Sequence, residues 1–238
     1  MKVHTLSLVH RVIEPREKRS KNPPPLLILL HGIGSNEDDL AALAPYLDGR
    51  LLVVSARAPL VMGPGSFGWF NIEFTPRGMV ADLDQAEQSH ALLLKFIDEV
   101  IETYGADASA CVILMGFSQG AMMSLSAALA RPDKVSGVVA MSGRFPSQVV
   151  AQASAPEALQ GMPVFVAHGI YDPVLPVESG REAREKLEAL QVALTYREYP
   201  MGHEVSLESL KDISAWLSST LDAKIVPSPK SQVPSQKK

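Results

Sequence analysis

Apolar and polar positions change period repeatedly along the chain. Residues 5–12 alternate, the pattern of a half-buried edge strand. Leu26-Leu27-Ile28-Leu29-Leu30 is a short unbroken apolar run, which suits a strand buried on both faces. Asn36-Glu37-Asp38-Asp39 then precedes Leu40, Leu43 and Leu47, predicting an N-cap with acids in the first helical turn. Leu51–Ser55 predicts a strand. Residues 82–104 carry Leu83, Ala86, His90, Leu93, Leu94, Ile97 and Ile101 at helical spacing, and Gly105 marks the stop. Strands follow at Cys111–Met115, Val135–Met141, Pro163–Ala167 and Ala193–Tyr199. Helices are predicted at about 119–130, ended by Arg131-Pro132, at Ser179–Leu190 and at Ser206–Leu221. Strands alternating with helices predict an α/β fold, a mostly parallel central sheet with helices on both faces.

Two stretches break the rhythm. Residues 56–80 form a long connection rich in Pro and Gly that also holds Phe67, Trp69, Phe70 and Phe74. Connections of this length are usually functional or disordered, and disordered ones seldom hold so many aromatics. A packed loop is therefore expected. Residues 222–238 are rich in Pro, Ser, Lys and Gln and read as a flexible tail behind a single catalytic domain of residues 1–221.

Composition narrows the function. Of 238 residues, 46% are apolar and 20% charged, enough for a sizeable core. The net charge is −4, with four Lys and one Asp in 222–238, so the body carries −7. Nothing there suits nucleic acid or an anionic membrane surface as partner. The N-terminal residues lack the apolar h-region of a signal peptide, and no apolar run approaches the roughly 20 residues of a membrane helix. A cytoplasmic protein is expected. The single Cys111 excludes an internal disulfide and a cysteine-based metal cluster. No His-x-x-x-His pair is present, so neither metal nor cofactor is expected. His31-Gly32-Ile33-Gly34 resembles half of a dinucleotide fingerprint, but Glu37 stands where the third glycine belongs.

The chemistry lies in Gly116-Phe117-Ser118-Gln119-Gly120, directly after a predicted strand and opening a predicted helix. In that context G-x-S-x-G is a nucleophile elbow, with Ser118 on a tight strand-to-helix turn. A serine hydroxyl needs a base. His203, in Pro200-Met201-Gly202-His203-Glu204 between the last strand and the last helix, is placed to serve. His31 and His168 stand at strand ends and read as structural. Asp172 follows the strand ending near His168, and the order Ser118, Asp172, His203 is that of the α/β-hydrolases. The Gln119 N–H, after the nucleophile, and the Ile33 N–H, between two glycines, are the candidate oxyanion donors. Phe67, Trp69 and Phe70 are candidate walls of an acyl pocket, and Met201 beside His203 is a further substrate-contact candidate. A non-catalytic binding module on this fold would be expected to have lost one of the three groups; all are present.

With these residues in view, the chain resembles the phospholipase/carboxylesterase family, which includes acyl-protein thioesterases and small bacterial carboxylesterases. The resemblance covers about residues 25–220. It rests on Leu30-His31-Gly32-Ile33-Gly34, Gly68-Trp69-Phe70-Asn71, the elbow, His168 to Pro176, and Met201-Gly202-His203-Glu204-Val205. It implies the α/β-hydrolase fold and a cofactor-free serine carboxylesterase acting on short- to medium-chain acyl esters as a monomer or homodimer. It also implies Ile33 and Gln119 as oxyanion donors. Acyl-thioesterase or lysophospholipase activity through the same three residues is the alternative. Ser35 and Asn71 stand where the thioesterase branch usually has acids, and Ala121 replaces a frequent glycine.

Overall fold

The computed structural model describes residues 5–17, 23–75, 78–105, 111–146 and 155–225, without the side chains of 74, 75, 78, 79, 224 and 225. A seven-stranded sheet is built from β1 (His10–Ile13), β2 (Leu26–Leu30), β3 (Leu52–Ala56), β8 (Val112–Phe117), β9 (Gly137–Met141), β10 (Pro163–Gly169) and β11 (Ala193–Tyr199). Its order is β1-β3-β2-β8-β9-β10-β11. Only β1 is antiparallel to its neighbour; the other pairs are parallel.

Both faces are covered. Leu26, Ile28 and Leu30 face one core and Leu27 and Leu29 the other, as a period of two requires. The first core is closed by α1 (Leu83–Val100), α2 (Gln119–Ala130) and α4 (Val177–Ala189). The second is closed by α5 (Leu207–Ile225) and a 3₁₀ segment, Leu40–Tyr46. A short helix, α3, spans Pro156–Leu159. Among the described residues no helix is long and apolar enough to cross a membrane.

The strand order positions the site. From β2 the chain first steps to β3 on one side, and later enters β8 on the other. The carboxyl ends of β2 and β8 lie side by side, with Leu30 opposite Gly116. Such a reversal opens a crevice above the strand ends where ligands bind in open α/β sheets.

The elements differ from the sequence expectation in three places. The acids before Leu40 do not cap a helix: Asp39 makes no side-chain cap bond, and Asn36 Oδ1 instead accepts from Asp38 N at 2.9 Å. Glu37 turns away to pair with Arg57, Nε to Oε2 at 2.6 Å, and that hydrogen bond holds its carboxyl below the usual range. The 56–80 connection contains two hairpins, β4 (Leu60–Gly63) with β5 (Ser66–Gly68) and β6 (Ile72–Thr75) with β7 (Gly78–Ala81). Helix α5 runs past 221 to Ile225, where Arg50 Nη1 reaches Asp222; the rest of the expected tail, 226–238, lies outside the described residues.

Candidate active site

Ser118 stands between β8 and α2 with φ 52° and ψ −115°, a strained backbone for a side-chain-bearing residue. Two close approaches enforce the turn. A Cβ on Gly116 would lie 2.1 Å from the Gly120 carbonyl oxygen, and one on Gly120 would lie 1.9 Å from that of Leu30. Ser118 N donates to Met141 O at 2.8 Å, tying the elbow to the end of β9.

His203 and Asp172 arrive on adjoining loops, one after β11 and one after β10. Backbone bonds lace the two loops together: Ile170 N to Tyr199 O at 2.9 Å and Tyr171 N to Met201 O at 3.1 Å. His203 Nε2 lies 3.0 Å from Ser118 Oγ, and its Nδ1 lies 2.7 Å from Asp172 Oδ2. Asp172 Oδ1 accepts from Val174 N and Leu175 N, both at 2.8 Å. The carboxylate side chain is fully buried and meets three donors. Since a carboxylate can only accept, it selects the Nδ1–H tautomer of His203 and turns the Nε2 lone pair toward the serine hydroxyl. That arrangement can draw a proton from Ser118 Oγ.

His168 is buried beneath this turn. Its Nε2 donates to Leu175 O at 2.8 Å and lies 3.7 Å from Asp172 Oδ2. His31 is likewise structural. Its Nδ1 donates to Gly32 O at 2.7 Å and its Nε2 accepts from Ala58 N at 3.0 Å. Burial lowers its pKa, consistent with a neutral ring in that role.

The loop after β2 lies against the nucleophile: a Cβ on Gly32 would come within 3.4 Å of Ser118 Cβ. Its neighbouring amides are engaged, Gly34 N by Phe67 O at 2.8 Å and Ser35 N by Gly32 O at 3.3 Å. The Ile33 N–H has no such partner among the described residues. The Gln119 N–H opens α2 and so has no intrahelical acceptor. Two donors are thereby left beside Ser118.

A cavity of about 410 Å³ opens at Ser118, with Ile33 and Gln119 in its lining. Its walls are mostly apolar. They come from Phe70, Ile72, Val80 and Ala81 of the hairpin region, Leu83 and Ala86 of α1, Met122 of α2, Phe145 and Pro146 after β9, and Val174 and Leu175. Arg144 and Glu182 add charge. Among the described residues no cluster of His, Cys, Asp and Glu could hold a metal ion.

Of the four expected pocket residues, only Phe70 lines this cavity. Trp69 is wholly buried behind it, with Nε1 donating to His31 O at 3.0 Å and N to Gln119 Oε1 at 2.7 Å. Phe67 lies under the Arg57 guanidinium, 4.5 Å from ring centroid to Cζ, and its backbone bridges Ser35. Met201 is buried in the core beneath α5. The residues missed were mostly ones whose sequence pattern already had another explanation. Leu83 and Ala86 fit the helical stripe of α1, and Ile72 and Val80 flank Pro76-Arg77-Gly78, a turn signal that reads equally well as part of a long loop. The Gln119 side chain was also missed: its Nε2 donates to Phe70 O at 2.6 Å, so both its polar ends hold residues 69–70.

Known proteins share this frame. The chain is similar to acyl-protein thioesterase 1 of Gibberella zeae, 32% identical over 215 residues, covering 83% of this chain and 91% of that one. It is similar to esterase YpfH of Escherichia coli, 31% identical over 188 residues, covering 75% and 73%. Among solved structures, esterase PE8 superposes with a TM-score of 0.76 at 29% identity, over 90% of this chain and 99% of that one. The phospholipase/carboxylesterase family pattern matches residues 9–221, a span that includes the elbow, both laced loops and the hairpin walling the cavity. The chain therefore belongs to the phospholipase/carboxylesterase family of α/β-hydrolases.

Proposed function

We propose that the protein is a serine hydrolase of carboxylic esters, acting on short- to medium-chain acyl groups through an acyl-enzyme on Ser118. The observation that carries this reading is the hydrogen-bonded chain Ser118–His203–Asp172 at the mouth of an apolar cavity. His203 Nε2 takes the hydroxyl proton as Oγ bonds to the acyl carbon. The Ile33 and Gln119 N–H groups receive the negative charge that develops on the carbonyl oxygen. The ester C–O bond breaks, the alcohol leaves with the proton from His203, and water repeats the sequence to release the acid. Asp172 keeps the imidazole in its productive tautomer and stabilises its cation. The partner is a small acyl ester handled by a monomer or homodimer. A cavity of about 410 Å³ falls at the small end of ligand pockets, which supports modest acyl groups.

Thioester cleavage through the same residues is the second reading, favoured by the 32% identity to a protein named acyl-protein thioesterase 1. Asn71 and Ser35, in place of the acids usual in that branch, weigh against it. In the test, wild-type protein and Ser118→Ala are compared on 4-nitrophenyl butyrate, its thioester counterpart and a lysophospholipid, with fluorophosphonate labelling alongside. Turnover and labelling should vanish together in the variant. Retention of more than a few per cent of turnover refutes the serine mechanism.

A further inference from the structure

The cavity beside Ser118 has a charge imbalance that hydrolysis of a plain aliphatic ester does not require. Of its two charged lining residues, Glu182 is engaged: Lys186 Nζ lies 2.6 Å from its Oε1. That same Nζ also sits 5.3 Å from the centroid of the Phe145 ring, another part of the wall. Arg144 is exposed and, among the described residues, has no acidic partner. The backbone leading to it is tightly held. Met141 O holds Ser118 N, Ser142 N donates to Ala167 O at 2.8 Å, and Ser142 takes φ 47° to make the turn. A Cβ on the next residue, Gly143, would lie 3.3 Å from Ser118 O and 2.6 Å from Ala121 Cβ. Arg144 Cα is one residue further, about 3.8 Å on. Arg144, on a pinned turn, therefore lines the same apolar cavity as the nucleophile, in a body whose net charge is otherwise negative.

We propose that Arg144 is a specificity-determining residue that selects esters carrying an ionised carboxylate a few methylenes from the scissile carbonyl. This rests on the serine-hydrolase reading above and adds the substrate class. The chemistry is fork recognition: the guanidinium presents paired N–H donors to two carboxylate oxygens, while the aliphatic links between the two groups lie on the apolar walls. The second carboxylate can belong to the acyl half, as in a hemiester of a dicarboxylic acid, or to the alcohol half. The hydrolytic step is unchanged; water cleaves one ester bond and the free carboxylate takes no part.

Two substrate pairs separate these sources. Mono-4-nitrophenyl glutarate against 4-nitrophenyl butyrate places the charge on the acyl side. The acetyl ester of 4-hydroxybutanoate against butyl acetate, followed by acid release, places it on the leaving side. The readout is the ratio of kcat/KM within each pair, so any general loss of activity cancels. In at least one pair, R144Q should lower the charged-to-neutral ratio about tenfold, and R144E should lower it further. The wild-type ratio should also fall as sodium chloride is raised. Ratios within twofold of wild type in both pairs, for both variants, overturn the proposal. Failure of the underlying reading looks different: S118A would then keep turnover on 4-nitrophenyl butyrate whatever the ratios show.

Discussion

Gln119 serves the site twice, and the two services can be separated. Its backbone N–H is the proposed oxyanion donor and is indifferent to the side chain. Its side chain makes two bonds to buried backbone, accepting from Trp69 N at 2.7 Å and donating to Phe70 O at 2.6 Å. Gln119→Met keeps the length and volume but orphans both partners. Trp69 is completely buried and Phe70 nearly so, so water has no ready route to either. A buried donor or acceptor left unpaired costs about 1–3 kcal/mol. The orphaned carbonyl belongs at the low end, because carbonyls tolerate under-satisfaction better than N–H groups do. The sum is about 2–4 kcal/mol. With a urea m-value of about 2–3 kcal/mol/M, the unfolding midpoint should drop by roughly 1 M. Kinetically, Phe70 walls the cavity, so KM for 4-nitrophenyl butyrate should rise more than kcat falls. Q119E is the control: it keeps an acceptor for Trp69 N but sets a carboxylate against the Phe70 carbonyl, and should be no more stable than the Met variant. A Q119M midpoint within about 0.3 M of wild type would refute the assignment, since only a water-filled or repacked site could absorb the loss.

Other outcomes follow from the same geometry. Gly120→Ala puts a methyl 1.9 Å from the Leu30 carbonyl, backbone against backbone, and should cost more than about 4 kcal/mol, read as loss of soluble folded protein or of the cooperative melt. Asp172→Asn should keep Oδ1 for the Val174 and Leu175 amides and offer an NH₂ to His203 Nδ1, reversing the tautomer. A loss of kcat of about 10³–10⁴-fold on 4-nitrophenyl butyrate is expected, and kcat within tenfold of wild type would contradict the assigned role. Burial lowers the pKa of both His31 and His90, so between their folded values and the unfolded value of about 6.5 the unfolded chain binds more protons. Their contribution to stability is complete above that value and is lost as pH falls through the folded values. Melting temperature should therefore decline on going from pH 8 to 5.5, and less steeply in His31→Gln; equal slopes would be the contrary result.

Local patterns carried much of the site. The elbow was legible because its requirement is short-range: a strand, a serine between glycines, a helix start, all within ten residues. Asp172 and His203 were legible through strand-end position and chain order. The pocket was not. Phe67, Trp69 and Phe70 lie within four residues of one another, yet one lies under Arg57, one is buried behind the site and one faces the cavity. Composition cannot separate these fates, because they depend on what packs against each side chain from elsewhere in the chain. Glu37 misled for the same reason. Its local setting suited a helix cap, but Arg57, twenty residues on, offered a charge-assisted bond.

The sequence by itself determined the alternation of strands and helices, the double-sided burial of the central strands, and the proposed nucleophile and its order with the proposed acid and base. These follow from period and from backbone sterics, which act between near neighbours. The tertiary structure alone decided that β2 and β8 lie side by side, so that Ile33 and Gln119 meet at Ser118. It also decided that the β6–β7 hairpin walls the cavity and that Arg144 lines it. Each of these is a contact between residues tens of positions apart, settled by strand order and packing, which no local pattern encodes.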